Sequence, residues 1–187
     1  MKNVLTITSR AEFREWLMNN STKQKECWIS LIRTKPRDGI FTYLDAVEES
    51  LCFGWIDSTQ KVEDGICYQR FSPRTKRSPW TELNKERVRR LERLGLMTKY
   101  GRKVLPKMGP RSFIMDPDIE NALKKARAWT KFKSFHPLYQ RVRAYNVSFY
   151  KTLGKDMFEK ALTHLIEETQ KNNLYGNWND DGRLLDY

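Results

Sequence analysis

The first apolar pattern of the chain has helical spacing. Ser9 and Glu12 form a capping-box pattern, and Phe13 and Leu17 follow on one face of the predicted helix. A capping box satisfies backbone N–H groups that the first turn leaves open. We therefore predict a first helix over residues 10–19.

The next segments predict one strand and a second helix. Residues 27–33, CWISLIR, are rich in β-forming side chains and end before the turn-prone run 36–39, Pro-Arg-Asp-Gly. Thr42 with Asp45 then makes a second capping pattern. We expect the helix that it opens to end at Gly54.

A hairpin is predicted around Asp64-Gly65. Residues 54–63 and 66–73 are rich in β-forming side chains and flank this dipeptide. A two-residue Asp-Gly loop suits a tight hairpin because both of its residues accept positive φ angles. We therefore expect an antiparallel pair of strands.

A long amphipathic helix is predicted after Ser78-Pro79. Ser78 has the character of an N-cap, and proline is favoured at the first helical position. The helix is expected to end at Gly95, with a shorter helical stretch near residues 99–107. Its predicted apolar face comprises Trp80, Leu83, Val88, Leu91 and Leu94.

The remaining sequence predicts a separate helical section. Residues 107–112 form a linker, after which one helix starts at Asp116-Pro117 and extends to Trp129, a second starts at Pro137, and a third carries Phe158 and Ile166. The fold class is α+β, with a small antiparallel sheet packed by helices. The predicted parts are an α+β domain over 1–108, a helical section over 112–174 and a polar tail over 175–187.

Positive charge is concentrated in the middle of the chain. The formal net charge is +12, and residues 70–143 contain 21 Lys and Arg against 6 Asp and Glu. A field of this size attracts polyanions. A solvated basic surface that aids solubility explains the same composition.

Several classes of protein are disfavoured by composition. Three cysteines without C-x-x-C spacing and two distant histidines supply no metal site or disulfide framework, and no cofactor motif is present. No run of about 20 apolar residues occurs, so we expect no membrane insertion. The first residues lack the apolar core of a signal peptide, and we expect a cytoplasmic protein.

Three segments carry a family resemblance. SLCFGWID (50–57), RFSPRTKRSPWTELNKERV (70–88) and RLGLMTKYG (93–101) resemble the bacterial YdeI/OmpD-associated family, also called bacteriocin-protection proteins, over about residues 8–105. The resemblance implies a role in tolerance of envelope-directed peptides and association with a porin, but no established reaction. Because no export signal is seen, we expect an indirect envelope-stress role rather than direct porin contact.

The hairpin register predicts a charged cluster. If Glu63 pairs with Ile66, Asp57 lies opposite Ser72, with Arg70 and Arg74 as diagonal neighbours on the same face. The positive charges of two guanidinium groups outnumber the negative charge of one carboxylate, so the cluster could hold an anion. A salt-bridge cluster that orients the hairpin is the structural alternative.

Further residues extend this predicted anion site. Trp55 would lie opposite Arg74, and the helix start at Ser78 would offer N–H donors to a phosphate or carboxylate. Trp80 and Asn84 are prominent in the resemblance and are included as candidate ligand contacts. A core anchor and a local hydrogen-bonding residue are their structural alternatives.

A basic stripe offers another interpretation. Lys85, Arg89 and Arg93 repeat at helical spacing, opposite the apolar face of the long helix. Such a stripe could follow phosphates without reading bases, because no base-reading motif accompanies it. The candidate nucleic-acid contacts are Lys85, Arg89, Arg93, Lys99, Arg102 and Lys103.

Enzyme chemistry has little support in the sequence. No phosphate-binding loop, dinucleotide fingerprint, serine elbow or zinc-protease motif occurs. Cys52 falls on the apolar face of its helix, and two arginines would oppose a general-base role of Asp57. We therefore expect an accessory protein that binds an anionic ligand or acidic partner. A sequence-indifferent nucleic-acid binder and a cryptic enzyme are the alternatives.

Overall fold

A computed structural model describes residues 2–31, 39–109, 112–185 and 187. Its α+β class is confirmed: a four-stranded sheet is accompanied by helices, and the C-terminal part is helical. The strands are β1 (Val4–Leu5), β2 (Cys27–Ser30), β3 (Trp55–Glu63) and β4 (Ile66–Pro73). The α-helices are α1 (Arg10–Asn20), α2 (Tyr43–Cys52), α3 (Glu82–Arg93), α4 (Lys99–Lys103), α5 (Pro117–Lys125), α6 (Trp129–Ser134), α7 (Pro137–Phe149) and α8 (Lys155–Gln170).

Two compact units divide the chain. The first contains Met1–Pro79, Arg87–Pro106 and Tyr187, and the second contains Trp80–Glu86 and Lys107–Asp186. The linker predicted over 107–112 begins at the residue where the second unit resumes, and its residues 110 and 111 lie outside the described part.

The sheet of the first unit has the order β1-β2-β4-β3. β1 runs parallel to β2, whereas β2 with β4 and β3 with β4 are antiparallel, so the sheet is mixed rather than purely antiparallel. Asp64 and Gly65 form the predicted two-residue loop with φ angles of 52° and 76°. The hairpin prediction is confirmed.

Local capping fixes the first two helices as predicted. The Ser9 side chain accepts from the Glu12 N–H at the start of α1. Thr42 and Asp45 form a reciprocal capping box at the start of α2, and the following helix ends before Gly54. Of the strand predicted over 27–33, the described residues show Cys27–Ser30, and residues 32 and 33 lie outside the described part. Of the turn predicted over 36–39, only Gly39 is described.

Apolar side chains of α1, α2 and the sheet form the core of the first unit. Phe13, Leu17 and Phe71 are fully buried, and the Phe13 and Phe71 rings lie 5.6 Å apart. Burial of large side chains like these is the dominant favourable contribution to folding.

The second unit has its own core, built from α5, α7 and α8 with the shorter α6. Asp116 and His136 cap α5 and α7, each followed by the predicted proline. The helix predicted to continue to Trp129 ends earlier, because the chain turns at Arg127 with φ 55° before α6 begins.

The predicted polar tail also contributes to this second core. Trp178 and Leu184 are 9% and 3% exposed and pack with the buried residues of the helices. Most residues of this segment are polar, but Trp178 and Leu184 reach the core, and Tyr175 packs against it. Residues 175–185 are therefore a packed extension of the helical section.

Candidate functional site

The β3–β4 register differs from the predicted one near Asp57. Pairing of Glu63 with Ile66 is as predicted, but a bulge between Asp57 and Gln60 shifts the strands, and Asp57 lies opposite Phe71. Residues directly opposite each other share a face of the sheet. The predicted pairings of Asp57 with Ser72 and of Trp55 with Arg74 are therefore wrong.

The Gln69 side chain accompanies this bulge. Gln69 is 4% exposed, and its amide nitrogen donates to the carbonyls of Ser58 and Thr59 at 3.1 and 3.4 Å. Both carbonyls lie within the bulged stretch. A buried side chain thus takes over hydrogen bonds that a regular ladder would supply.

Arg70 belongs to the other face of the sheet. Its Nε donates to Glu26 Oε2 at 2.6 Å, and its Nη1 donates to Ser58 Oγ at 3.2 Å. The hydrogen bond from Arg70 lowers the pKa of the Glu26 carboxyl. Since the bulge places Asp57 opposite Phe71, Arg70 is removed from the predicted anion cluster and forms an ion pair with Glu26.

Ser78 does not start a helix. α3 begins at Glu82, and the Thr81 side chain accepts from the Asn84 N–H at 3.0 Å. Ser78 Oγ instead accepts from the Thr75 N–H at 3.0 Å and closes a turn. Ser78 and Thr81 are both suitable N-cap residues, but Thr81 caps α3. No helix N-terminus therefore lies at Ser78.

Asp57 lies close enough to Arg74 to act on its charge. Arg74 follows β4, where its N–H donates to Gly54 O at 2.9 Å and its Nη1 donates to Pro79 O at 3.0 Å. Burial lowers the pKa of Arg74 to about 10, and the charge of Asp57 acts to raise it. Asp57 also accepts a 2.5 Å hydrogen bond from Tyr43.

Trp55 is a core residue. It is 1% exposed, its indole N–H donates to Ser21 O at 3.0 Å, and its ring meets Trp16 edge-on at 5.7 Å. Its strand partner is Pro73 rather than Arg74. Trp55 therefore anchors α1 to the sheet and presents no surface to a ligand.

Trp80 and Asn84 belong to the second unit. Trp80 precedes α3 and is half-buried, whereas Asn84 lies in its first turn and is 7% exposed. The backbone of Asn84 completes the Thr81 cap.

Several residues of the predicted basic stripe contact other residues of the chain. Lys85 forms a 2.6 Å ion pair with Glu82. Arg93 donates to Tyr187 O at 2.6 Å and lies 4.9 Å from the centre of its ring. Further along the chain, Arg102 pairs with Glu92. The Lys99 amine lies 5.3 Å from the centre of the Tyr100 ring. Arg89 lies on α3 and Lys103 on α4.

A buried acidic pair on α2 escaped the sequence analysis. Glu48 and Glu49 are 0% and 1% exposed. Arg10 contacts both carboxylates, at 2.8 and 2.6 Å, while Arg14 contacts Glu49 and Arg90 contacts Glu48. Two adjacent acids following Leu44 and Val47 were the only sequence signal, and their partners come from distant helices.

Cys52 is buried, and the described residues include no metal-ligand cluster. Burial raises the pKa of the Cys52 thiol to about 12, which disfavours the nucleophilic thiolate. Residues 2–31, 39–109, 112–185 and 187 hold no cluster of three metal-ligating side chains. Among the helices in these ranges, none is long and apolar enough to cross a membrane.

Comparison with known proteins places most of the first unit in a family. A domain of unknown function, DUF8412, matches residues 5–104, which is more than half of the chain. No curated protein and no solved structure matches the chain. The matched range includes α1–α4, the β3–β4 hairpin and the Asp57–Arg74 neighbourhood, and on this match the chain belongs to the DUF8412 family.

Proposed function

We propose that this protein binds a small anion with a phosphate or carboxylate group at Arg74. The observation that carries the proposal is the position of Arg74, a buried residue with 7% exposure, next to the carboxylate of Asp57. Burial lowers the pKa of Arg74. A negatively charged ligand next to the guanidinium would favour its charged form.

Charges around Arg74 support the same ligand chemistry. Lys76 and Arg77 follow Arg74 in the chain and are exposed, so this segment is strongly cationic. Tyr43 already donates to Asp57 and holds that carboxylate against α2. The planar guanidinium suits phosphate and carboxylate oxygens because it can donate two parallel hydrogen bonds.

Calorimetric titration with inorganic phosphate and with acetate tests the proposal. Arg74→Lys keeps the charge but removes the planar fork, so we expect phosphate binding to weaken by about tenfold or more. Lys61→Ala is the matched control, because Lys61 is an exposed cation on the same hairpin, and it should leave binding unchanged. Equal phosphate affinity in Arg74→Lys and the wild type contradicts the proposal.

Asp57→Asn separates this site from a purely structural ion pair. If Asp57 limits the positive charge of a ligand site, its removal should preserve or strengthen phosphate binding. If Arg74 only neutralises Asp57, both Asp57→Asn and Arg74→Lys should lower the free energy of unfolding, and phosphate should bind neither variant nor the wild type.

The cellular role that we propose is cytoplasmic and rests on the family resemblance. It links anion binding, or binding of an acidic partner, to tolerance of bacteriocins and other envelope-directed peptides. Survival of a deletion strain challenged with such a peptide tests it. Rescue by the wild type and not by Arg74→Lys is expected, and full rescue by Arg74→Lys would separate the anion site from tolerance.

A further inference from the structure

A basic surface with an aromatic centre lies in the second unit, outside the proposed anion site. It comprises the end of α5, the turn at Arg127 and α6, and we name it the α5–α6 surface. Its residues are Lys124, Lys125, Arg127, Trp129, Lys131 and Lys133. Between residues 121 and 155 the chain contains nine Lys and Arg and no Asp or Glu.

Trp129 is held at the middle of this surface. Its ring is half-buried and stacks with Phe132 at 6.2 Å and 27°. The amines of Lys124 and Lys133 lie 5.6 and 5.7 Å from the ring centre. An aromatic ring is thus fixed from the core side and surrounded by cations at the surface.

Little negative charge offsets these cations. Glu120 pairs with Lys124 at 2.6 Å, and Lys131 donates to Gln170 O at 2.8 Å. Within the part of the chain that the structure describes, no carboxylate pairs with Lys125, Arg127 or Lys133. Five cations against Glu120 leave the α5–α6 surface strongly positive.

The turn at Arg127 adds a cation at a position where glycine is usual. Arg127 has φ 55°, and the Ala128 N–H donates back to Leu123 O at 2.8 Å, as at a helix C-terminus of the kind that glycine commonly closes. An arginine at this φ angle is more strained than a glycine would be. Unlike glycine, it places a positive charge next to Trp129 in the sequence.

We infer that the α5–α6 surface binds single-stranded nucleic acid without sequence preference. Lysine and arginine side chains contact the phosphates, and a base stacks on Trp129 as the neighbouring lysine amines turn to the backbone. This combination of cations and an aromatic platform is how single strands are bound without base reading. The inference is independent of the anion site at Arg74.

An anionic membrane surface fits the same residues less well. A helix that lies on a membrane needs apolar side chains on its exposed face. Here Ile119, Leu123 and Phe132 are all fully buried in the core of the second unit. The exposed side chains of α5 and α6 offer charge without an apolar face to insert.

Fluorescence anisotropy with a labelled 20-nucleotide dT strand tests the inference on the full chain. With about three to five phosphate contacts, we expect affinity to fall roughly 20- to 100-fold between 50 and 200 mM salt. The same measurement with U20, with a duplex of equal length and with vesicles containing phosphatidylglycerol separates the ligand classes. Tighter binding of the duplex or of the vesicles than of dT20 overturns the inference.

Two variants test whether dT20 binds at the α5–α6 surface. Trp129→Leu keeps an apolar side chain but removes the stacking ring, and should weaken dT20 binding about tenfold. Arg127→Gly removes a cation while easing the backbone at φ 55°, so weaker binding by this variant cannot be attributed to unfolding. It should also reduce the steepness of the salt dependence.

Matched controls exclude a general charge effect. Lys155→Gln removes an exposed cation of the same unit that lies 3.7 Å from Glu159, and should leave dT20 binding unchanged. Arg74→Lys should also leave dT20 binding unchanged, even if this variant no longer binds inorganic phosphate. Full affinity in Trp129→Leu and Arg127→Gly, or a greater loss in Lys155→Gln, overturns the inference.

Discussion

The backbone of Gly101 packs directly against the carbonyl of Cys52. A Cβ placed at Gly101 would lie 2.8 Å from Leu51 O and closer still to Cys52 O. Thr98, which caps α4, donates through its hydroxyl to the same Cys52 carbonyl at 2.6 Å. The SLCFGWID and RLGLMTKYG segments therefore meet where α4 docks on the end of α2.

Gly101→Ala should destabilise the protein. The added methyl group meets backbone atoms that cannot rotate away, so we expect the free energy of unfolding to fall by about 1–3 kcal/mol. Urea denaturation followed by circular dichroism measures this change. Gly109→Ala is the control, because nothing lies within 4 Å of a Cβ there, and an equal effect of both variants would contradict the packing argument.

Short-range sequence patterns were enough to predict helices and strands, whereas the geometry of the candidate site depends on contacts between residues far apart in the sequence. The capping residues Ser9 and Thr42 and the Asp64-Gly65 loop act within a few residues of themselves, so the sequence was sufficient for them. At the bulge near Asp57, the buried Gln69 of β4 donates to the Ser58 carbonyl, a contact that the turn sequence does not reveal. A register counted from the turn alone therefore fails beyond it.

The same distinction explains the two other differences in the candidate site. Ser78 and Thr81 are both suitable N-caps by residue type, and only the observed bond to Asn84 selects Thr81. Glu48 and Glu49 look like surface charges in the sequence. Their burial depends on Arg10 and Arg90, which are 38 and 42 residues from Glu48.

Glu48→Gln should be among the costliest single substitutions in the first unit. Glu48 is fully buried and accepts from Arg10 and Arg90, both at 2.8 Å, so loss of its charge removes an ion pair from each arginine, although Arg10 keeps Glu49. Breaking a buried pair of this kind costs about 3–5 kcal/mol. Urea denaturation of the variant measures the loss.

Glu92→Gln provides the comparison for that measurement. Glu92 pairs with Arg102 at 2.8 Å, but the two side chains are 34% and 52% exposed. An exposed pair contributes about 0–1 kcal/mol because water screens it. A loss in Glu48→Gln no larger than in Glu92→Gln would show that the buried network is not a source of stability.

The three cysteines should differ sharply in reactivity. Cys27 and Cys52 are buried and Cys67 is exposed. Burial raises the pKa of both buried thiols, that of Cys52 to about 12, so their reactive thiolate is scarce at pH 8. We expect one thiol per chain to react with a disulfide reagent in the native protein and three after denaturation. Two rapid native thiols would contradict this, and Cys67→Ser should remove the native reaction.

Acid should weaken the second unit through Asp116. Burial of this carboxyl acts to raise its pKa, but hydrogen bonds from Lys151, the Asp118 N–H and Ser148 outweigh that effect, and the pKa is lowered overall. A carboxyl with a lowered pKa in the folded state adds stability above its unfolded pKa, near 4, and that stability is lost as the pH falls through the folded value. The contribution is therefore complete at pH 6 and declines below about pH 4.

In Asp116→Asn the amide oxygen can still cap α5, but no carboxylate titrates at this position, so the unfolding free energy should fall less between pH 6 and pH 3 than in the wild type. Urea denaturation at the two pH values measures the difference, and identical pH dependence in both proteins would show that the Lys151 contact does not link folding to protonation at Asp116.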